Sequence, residues 1–280
     1  MTMVMLCSAA GAPGVTTTAL AMTLAWPGDA LLVDADRNAS QAVLAGHLGG
    51  ADAGGRGLTA LTRAHRERRS LAEELPANLL PLADHESYRR SFLPGFGQAG
   101  SATLFQSAWP EFADNLQRLS RGGTAVMVDA GRVGEGLPGP LLATARVTLL
   151  LTRTSLRALA ATRIQLSAIG QRQAQLANGG HLGLVLIGEG NPYSGKEISQ
   201  SFGVPVWGVL PEDARAAAVW SDGEPATRRH RNGALSKAIA GLVAKVGSTV
   251  GRGGPARSQQ SPEGWSSSAE QAAFRRGADR

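Results

Sequence analysis

SAAGAPGVTTTALAMTLAWP, residues 8–27, decides how the chain begins to fold. It follows the apolar run TMVMLCS and opens with small residues up to Gly11 and Gly14. A mostly apolar run from Thr2 to Ser8 is what a central parallel strand, buried on both faces, requires. The glycines permit a tight loop whose backbone N–H groups can approach an anion, and the helix that follows adds its positive dipole end. That helix is expected over residues 16–25, with Thr16–Thr18 in its first turn and Pro27 ending it.

The same alternation of apolar run and helical segment continues through ALLVDAD (30–36), TAVMVDA (124–130), RVTLLLT (146–152), HLGLVLIG (181–188) and VPVWGVL (204–210). Repeated strand–helix alternation predicts an α/β fold: a mostly parallel, twisted sheet with helices on both faces, in three layers. Leu156–Leu176 has the spacing of an amphipathic helix, and Gly233–Val246 that of a closing one. DHESYRRSFLPGFGQAG, residues 84–100, lacks clear periodicity and reads as a long surface loop. The folded domain is expected over residues 1–248. Residues 249–280, rich in Gly, Ser, Pro and Arg, have the composition of a disordered or weakly ordered tail.

A chain of 280 residues with 43% hydrophobic content can bury a substantial core. No segment approaches the roughly 18 uninterrupted apolar residues of a membrane span, and no basic segment precedes the first apolar run. A cytoplasmic location without stable membrane insertion is therefore expected. Cys7, the sole cysteine, excludes an intramolecular disulfide and reads as a small buried hydrophobe. The five histidines show no metal spacing and no serine sits in a nucleophile elbow, so neither a zinc enzyme nor a serine hydrolase has support. The formal charge is +6; five arginines against three acidic residues put +2 on the tail from residue 251 onward, leaving +4 on the body, a mild bias toward polyanions.

Three further features fall at the carboxyl ends of the expected strands. Asp34 and Asp36 end one strand and Asp129 ends another, where carboxylates can hold Mg²⁺ near a phosphate-binding loop. Thr16 offers a hydroxyl to the same ion. Each aspartate alone could merely cap a helix; together, at one sheet edge, they are more specific. The loop itself reads in two ways, as a phosphate cradle or as a plain strand-to-helix turn.

With FGVPVWGVLPEDARAAAVWSDGEP near the end and VTLLLTRTSLRALAATR before it, the chain resembles the ParA/MinD family of deviant Walker A ATPases, over roughly residues 3–247. The likeness extends to its chromosome-partitioning and Flp pilus assembly branch. The family's loop, approximately KGGxGKTT, aligns with Ala10, Gly11, Ala12, Pro13, Gly14, Val15, Thr16 and Thr17. Both lysines are missing, replaced by Ala10 and Val15. The resemblance implies ATP and Mg²⁺ as ligands, with Thr16, Asp34 and Asp129 at the metal and Asp36 orienting the attacking water. It also implies that Pro211, Glu212 and Asp213 line the base. The family's adenine-reading asparagine is replaced by Gly188 and Glu189.

Loss of one preorganised donor typically costs about 3–4 kcal/mol in a barrier, so two missing lysines predict weak or absent hydrolysis. Backbone amides, helix dipole and metal still favour binding. Arg37, Arg132 and Arg153, each just after a strand's carboxyl end, are the candidate substitutes for a lysine. The resemblance further implies a homodimer and partners among partition, septum-placement, secretion or pilus proteins. It also implies non-specific DNA binding through a basic patch, here Arg228, Arg229, Arg231 and Lys237. The C-terminal EGWSSSAEQAAFRRGADR is similar to the amphipathic anchor of MinD-like members, but its apolar face is too sparse for stable anchoring. The alternative to an ATP-dependent dimerising switch is a catalytically dead pseudo-ATPase acting as an interaction scaffold.

Overall fold

The computed structural model describes residues 1–11, 13–83, 87–98, 100–134, 137–176, 180–190 and 192–251. Ala12 of the glycine loop and the tail from residue 252, including Trp265 and Phe274, lie outside the described residues.

Among the described residues eight strands occur: β1 (Met3–Ser8), β2 (Ala30–Asp34), β3 (Leu80–Ala83), β4 (Arg90–Leu93), β5 (Ala125–Arg132), β6 (Val147–Arg153), β7 (His181–Ile187) and β8 (Val206–Leu210). Around them run α1 (Val15–Ala25), α2 (Ala42–Ala45), α3 (Leu58–Arg66), α4 (Leu71–Glu74), α5 (Trp109–Arg121) and α6 (Gly139–Thr144). They are followed by α7 (Leu156–Leu176), α8 (Gly195–Phe202), α9 (Ala214–Ser221), α10 (Arg228–Arg231) and α11 (Ala234–Gly251). The strands form one sheet in the order β3-β4-β2-β5-β1-β6-β7-β8. Every pairing is parallel except β3 with β4. The α/β architecture expected from the strand–helix alternation is the one observed.

Strand β1 shows why its sequence carries no polar alternation. Met3, Met5 and Cys7 enter a core with α3 to α6, where Phe96, Phe105, Trp109 and Phe112 meet edge to face; Phe105 and Trp109 are 4.7 Å apart. Val4 and Leu6 enter the opposite core with α1 and α11. A strand covered on both faces needs apolar residues at every position.

One expectation is corrected. The stretch 84–100 is not simply a loop, because it contains β4, all four of whose residues are buried and pair with β2. Arg90 conceals the strand in the sequence. Its guanidinium is buried by donating to the carbonyls of Trp26 and Gly28, which close α1 onto β2. Helix α11 also continues to Gly251, past the expected end at Val246.

Candidate functional site

Strands β1, β2, β5, β6, β7 and β8 are parallel, so their carboxyl ends share one edge of the sheet. The chain passes from β5 on one side of β1 to β6 on the other, and such reversals of strand order open a crevice at the carboxyl edge. The loop after β1 lies in that crevice. Gly11 (φ +74°) and Gly14 (φ +88°) occupy the left-handed region that favours glycine. A Cβ on either would meet nothing within 4 Å, so the space before the loop is open. Gly14 is the N-cap of α1 and supplies no side-chain cap, which leaves the helix's first amides directed at that space.

Beside the loop, Asp34 and Asp129 are register partners on adjacent strands and are 7% and 2% exposed. Asp129 accepts from the Gly131 amide at 2.9 Å and from the Thr16 hydroxyl. Asp34 accepts from the Asp36 amide at 3.2 Å and from the Gly95 amide. Burial, and then the charge of Asp129, pushes the Asp34 carboxyl up to about 8. Burial likewise raises Asp129 to about 6, against the lowering pull of its bonds to Thr16 and Gly131. Thr16, Asp34, Asp36 and Asp129 therefore come together as one cluster.

Two glycines shape that cluster, and neither stood out in the sequence. A Cβ on Gly95 would sit 2.6 Å from the Asp34 carboxyl carbon, and one on Gly131 would land on the Asp36 carboxylate. Cys7 is fully buried close by, its thiol pushed up to about 12 by burial and then by Asp129. It is the inert core residue expected.

Next to the loop lies a pocket of about 190 Å³. It is lined by Pro13, Gly14 and Thr17 of the loop and α1, by Pro211, Glu212 and Asp213 after β8, and by the apolar side chains of Ile187, Leu210, Leu235 and Ile239. Pro211 to Asp213, expected to line a base, border the same cavity as the glycine loop, as does Trp220 of α9. Ala214, Ala217 and Trp220 recur every third residue along α9, a spacing that could have flagged its pocket-facing side. Asp213 also has a structural task, capping α9 through the Ala216 amide at 2.9 Å. Of the three candidate arginines, Arg153 lines the pocket, paired with Glu212; Arg132 is exposed at the end of β5. Val15, at the lysine position, is 6% exposed and packs in the core with Val4 and Leu6. Glu189 turns away to accept from the Gly195 amide at the start of α8.

The basic segment forms α10, capped by Thr227. Arg228, Arg229, Arg231 and Lys237 are all exposed, and His230 between them stacks edge-on against Trp220, 4.7 Å between ring centroids. Among the described residues no helix is long and apolar enough to cross a membrane.

Neither a protein-family model nor a curated protein sequence matches the chain. Solved structures do. A ParA family ATPase from Chlorobium tepidum TLS has a TM-score of 0.66 at 15% identity, covering 87% of this chain and 97% of its own. The cell division protein MinD of Aquifex aeolicus has a TM-score of 0.65 at 16% identity, covering 92% of this chain and 100% of its own. The septum site-determining protein MinD of Pyrococcus horikoshii OT3, complexed with Mg-ADP, has a TM-score of 0.62 at 17% identity over 90% of this chain and 98% of its own. Matched over nearly their whole lengths, the chain and these proteins share the MinD and ParA ATPase fold.

Proposed function

We propose that this chain is a ParA/MinD-like nucleotide-binding switch, taking a nucleoside triphosphate with Mg²⁺ at the loop 10–17, dimerising in that state and hydrolysing the nucleotide weakly or not at all. The observation that carries the reading is the joining of Thr16, Asp34 and Asp129 beside a glycine loop and an uncapped helix N-terminus. These are hard oxygen donors, the kind Mg²⁺ selects. Among the described residues no three acidic, histidine or cysteine side chains form a complete metal site. The ion would accordingly take the remainder of its shell from phosphate and water, as Mg²⁺ on nucleotides does. A bound ion supplies charge compensation for the phosphates and for the buried carboxylate pair.

The chain's own groups divide the remaining work. The amides of the loop and of the first turn of α1 hold the phosphates, Thr16 and Asp129 orient the metal shell, and Asp36 stands at the edge of the cluster to position water. Pro211 to Asp213, with Trp220, border the base. Support for the nucleotide comes from the P. horikoshii MinD, whose solved structure is complexed with Mg-ADP. The exposed Arg228, Arg229, Arg231 and Lys237 would meet DNA phosphates without reading sequence, in a protein placed in the cytoplasm and partnered by a partition, septum-placement, secretion or pilus component.

A second reading, a pseudo-ATPase scaffold, is favoured by one observation: Val15 belongs to the hydrophobic core. Titration calorimetry of the chain with Mg-ATP, Mg-ADP and Mg-GTP tests the first reading. Micromolar binding that Asp129→Ala abolishes supports it, and no heat with any of the three rejects it. Turnover at rates typical of lysine-bearing ATPases would reject both the weak-hydrolysis reading and the scaffold.

A further inference from the structure

Arg153 is the last residue of β6, and Glu212 lies two residues beyond the end of β8. Strand β7 runs between those strands, so a contact between the two side chains must cross its carboxyl end. It does so over Gly188 (φ +67°), whose added Cβ would lie 3.6 Å from Glu212 Oε2. The Arg153 Nη1 group donates to Glu212 Oε1, and both residues line the pocket. Among the lining residues Arg153 is the one cation.

We propose that the Arg153–Glu212 pair is a latch over the mouth of the pocket, opened when the phosphates of a nucleoside polyphosphate take the Arg153 guanidinium from Glu212. The inference rests on the nucleotide reading and adds its regulation. A guanidinium matches two phosphate oxygens as well as it matches a carboxylate, so the two anions compete for one partner. The side chains are 38% and 57% exposed, and pairs this exposed are weak, which keeps the exchange reversible.

What the latch restrains is the turn ahead of α9. Asp213, the residue after Glu212, caps α9, and α9 has no buried residue of its own. Once Arg153 turns to phosphate, Glu212 is left without its partner. The Pro211–Asp213 turn and α9 then lose the tie from Glu212 to Arg153 and keep the partly buried contacts of α9 with α1 and the neighbouring core. Occupancy of the pocket thereby reaches Trp220 and, through its ring contact, His230 in the basic helix α10.

The test is titration calorimetry on the full chain with Mg-ATP and with adenosine, using Glu212→Gln, Arg153→Met and the double variant, alongside hydrogen exchange of residues 211–221 without ligand. Glu212→Gln should bind Mg-ATP about two- to fivefold more tightly, the size of a weak exposed pair, and the gain should be absent with adenosine, which carries no phosphate to compete for Arg153. Its α9 amides should exchange faster. Arg153→Met should weaken Mg-ATP at least about tenfold, the scale of one charge-assisted phosphate contact, and adding Glu212→Gln to it should give no further gain. A gain that persists without Arg153 would mean simple charge repulsion and would overturn the latch, as would unchanged affinity and exchange in Glu212→Gln while the unmodified chain binds Mg-ATP. Absence of nucleotide binding in every protein would instead overturn the nucleotide reading, a different result from the latch failing on its own.

Discussion

Asp34 and Asp129 face each other as register partners on β2 and β5, two nearly inaccessible carboxyls on neighbouring strands. Both are held above the ordinary value of a carboxylic acid, Asp34 at about 8 and Asp129 at about 6, with burial as the main cause. The folded chain therefore keeps protons that the unfolded chain releases near pH 4. The pair's effect on stability is most favourable below about pH 4 and declines as pH rises through 6 and 8, by about 1.4 kcal/mol per pH unit for each proton retained. Without metal, Asp34→Asn should raise Tm by several times more at pH 8 than at pH 5. Thermal melts at the two values check this; equal changes at both would show that the carboxyl is not protonated in the fold.

Gly131 has φ +59°, and the Asp36 carboxylate lies where its Cβ would be. Gly131→Ala should cost about 1–2 kcal/mol from the left-handed backbone alone and should also expel Asp36 from its place. If Asp36 positions water, slow turnover falls below detection while Mg-ATP affinity changes little. Denaturant melts and single-turnover assays give the two readouts; undiminished stability would contradict the packing described.

Val15 is buried in the same core cluster as Val4 and Leu6. Val15→Lys should destabilise the ligand-free chain by about 1–3 kcal/mol, the usual range for a charge placed at a packed apolar site. Mg-ATP should recover part of the loss if the new ammonium reaches the phosphates. Melting curves with and without nucleotide decide it, and an unchanged Tm would mean the position tolerates charge.

Arg228, Arg229, Arg231 and Lys237 are exposed around α10. Arg228→Glu with Arg229→Glu should weaken binding to any duplex sequence and reduce the salt slope by about 1 for each phosphate no longer neutralised. Fluorescence anisotropy across a salt series measures both. A weakening confined to one sequence would argue against backbone recognition.

The sheet was legible wherever apolar runs alternate with helices. Strands buried on both faces need unbroken hydrophobic sequence, and six of the eight announce themselves in that way. Strand β4 did not, because Arg90 is tolerated there through carbonyls of Trp26 and Gly28, more than sixty residues distant in the chain. The candidate site divides along the same line. Which residue types stand at or just beyond the strand ends (Asp34, Asp36 and Asp129) and open the helix after β1 (Thr16) is written in the order of the chain, since parallel strands deliver their carboxyl ends to one edge. Which arginine faces the pocket, that Gly131 and Gly95 make room for the carboxylates, and that Arg153 meets Glu212 across β7 are set by tertiary structure alone. Those contacts join segments far apart in sequence, and their distances depend on how neighbouring strands and loops pack.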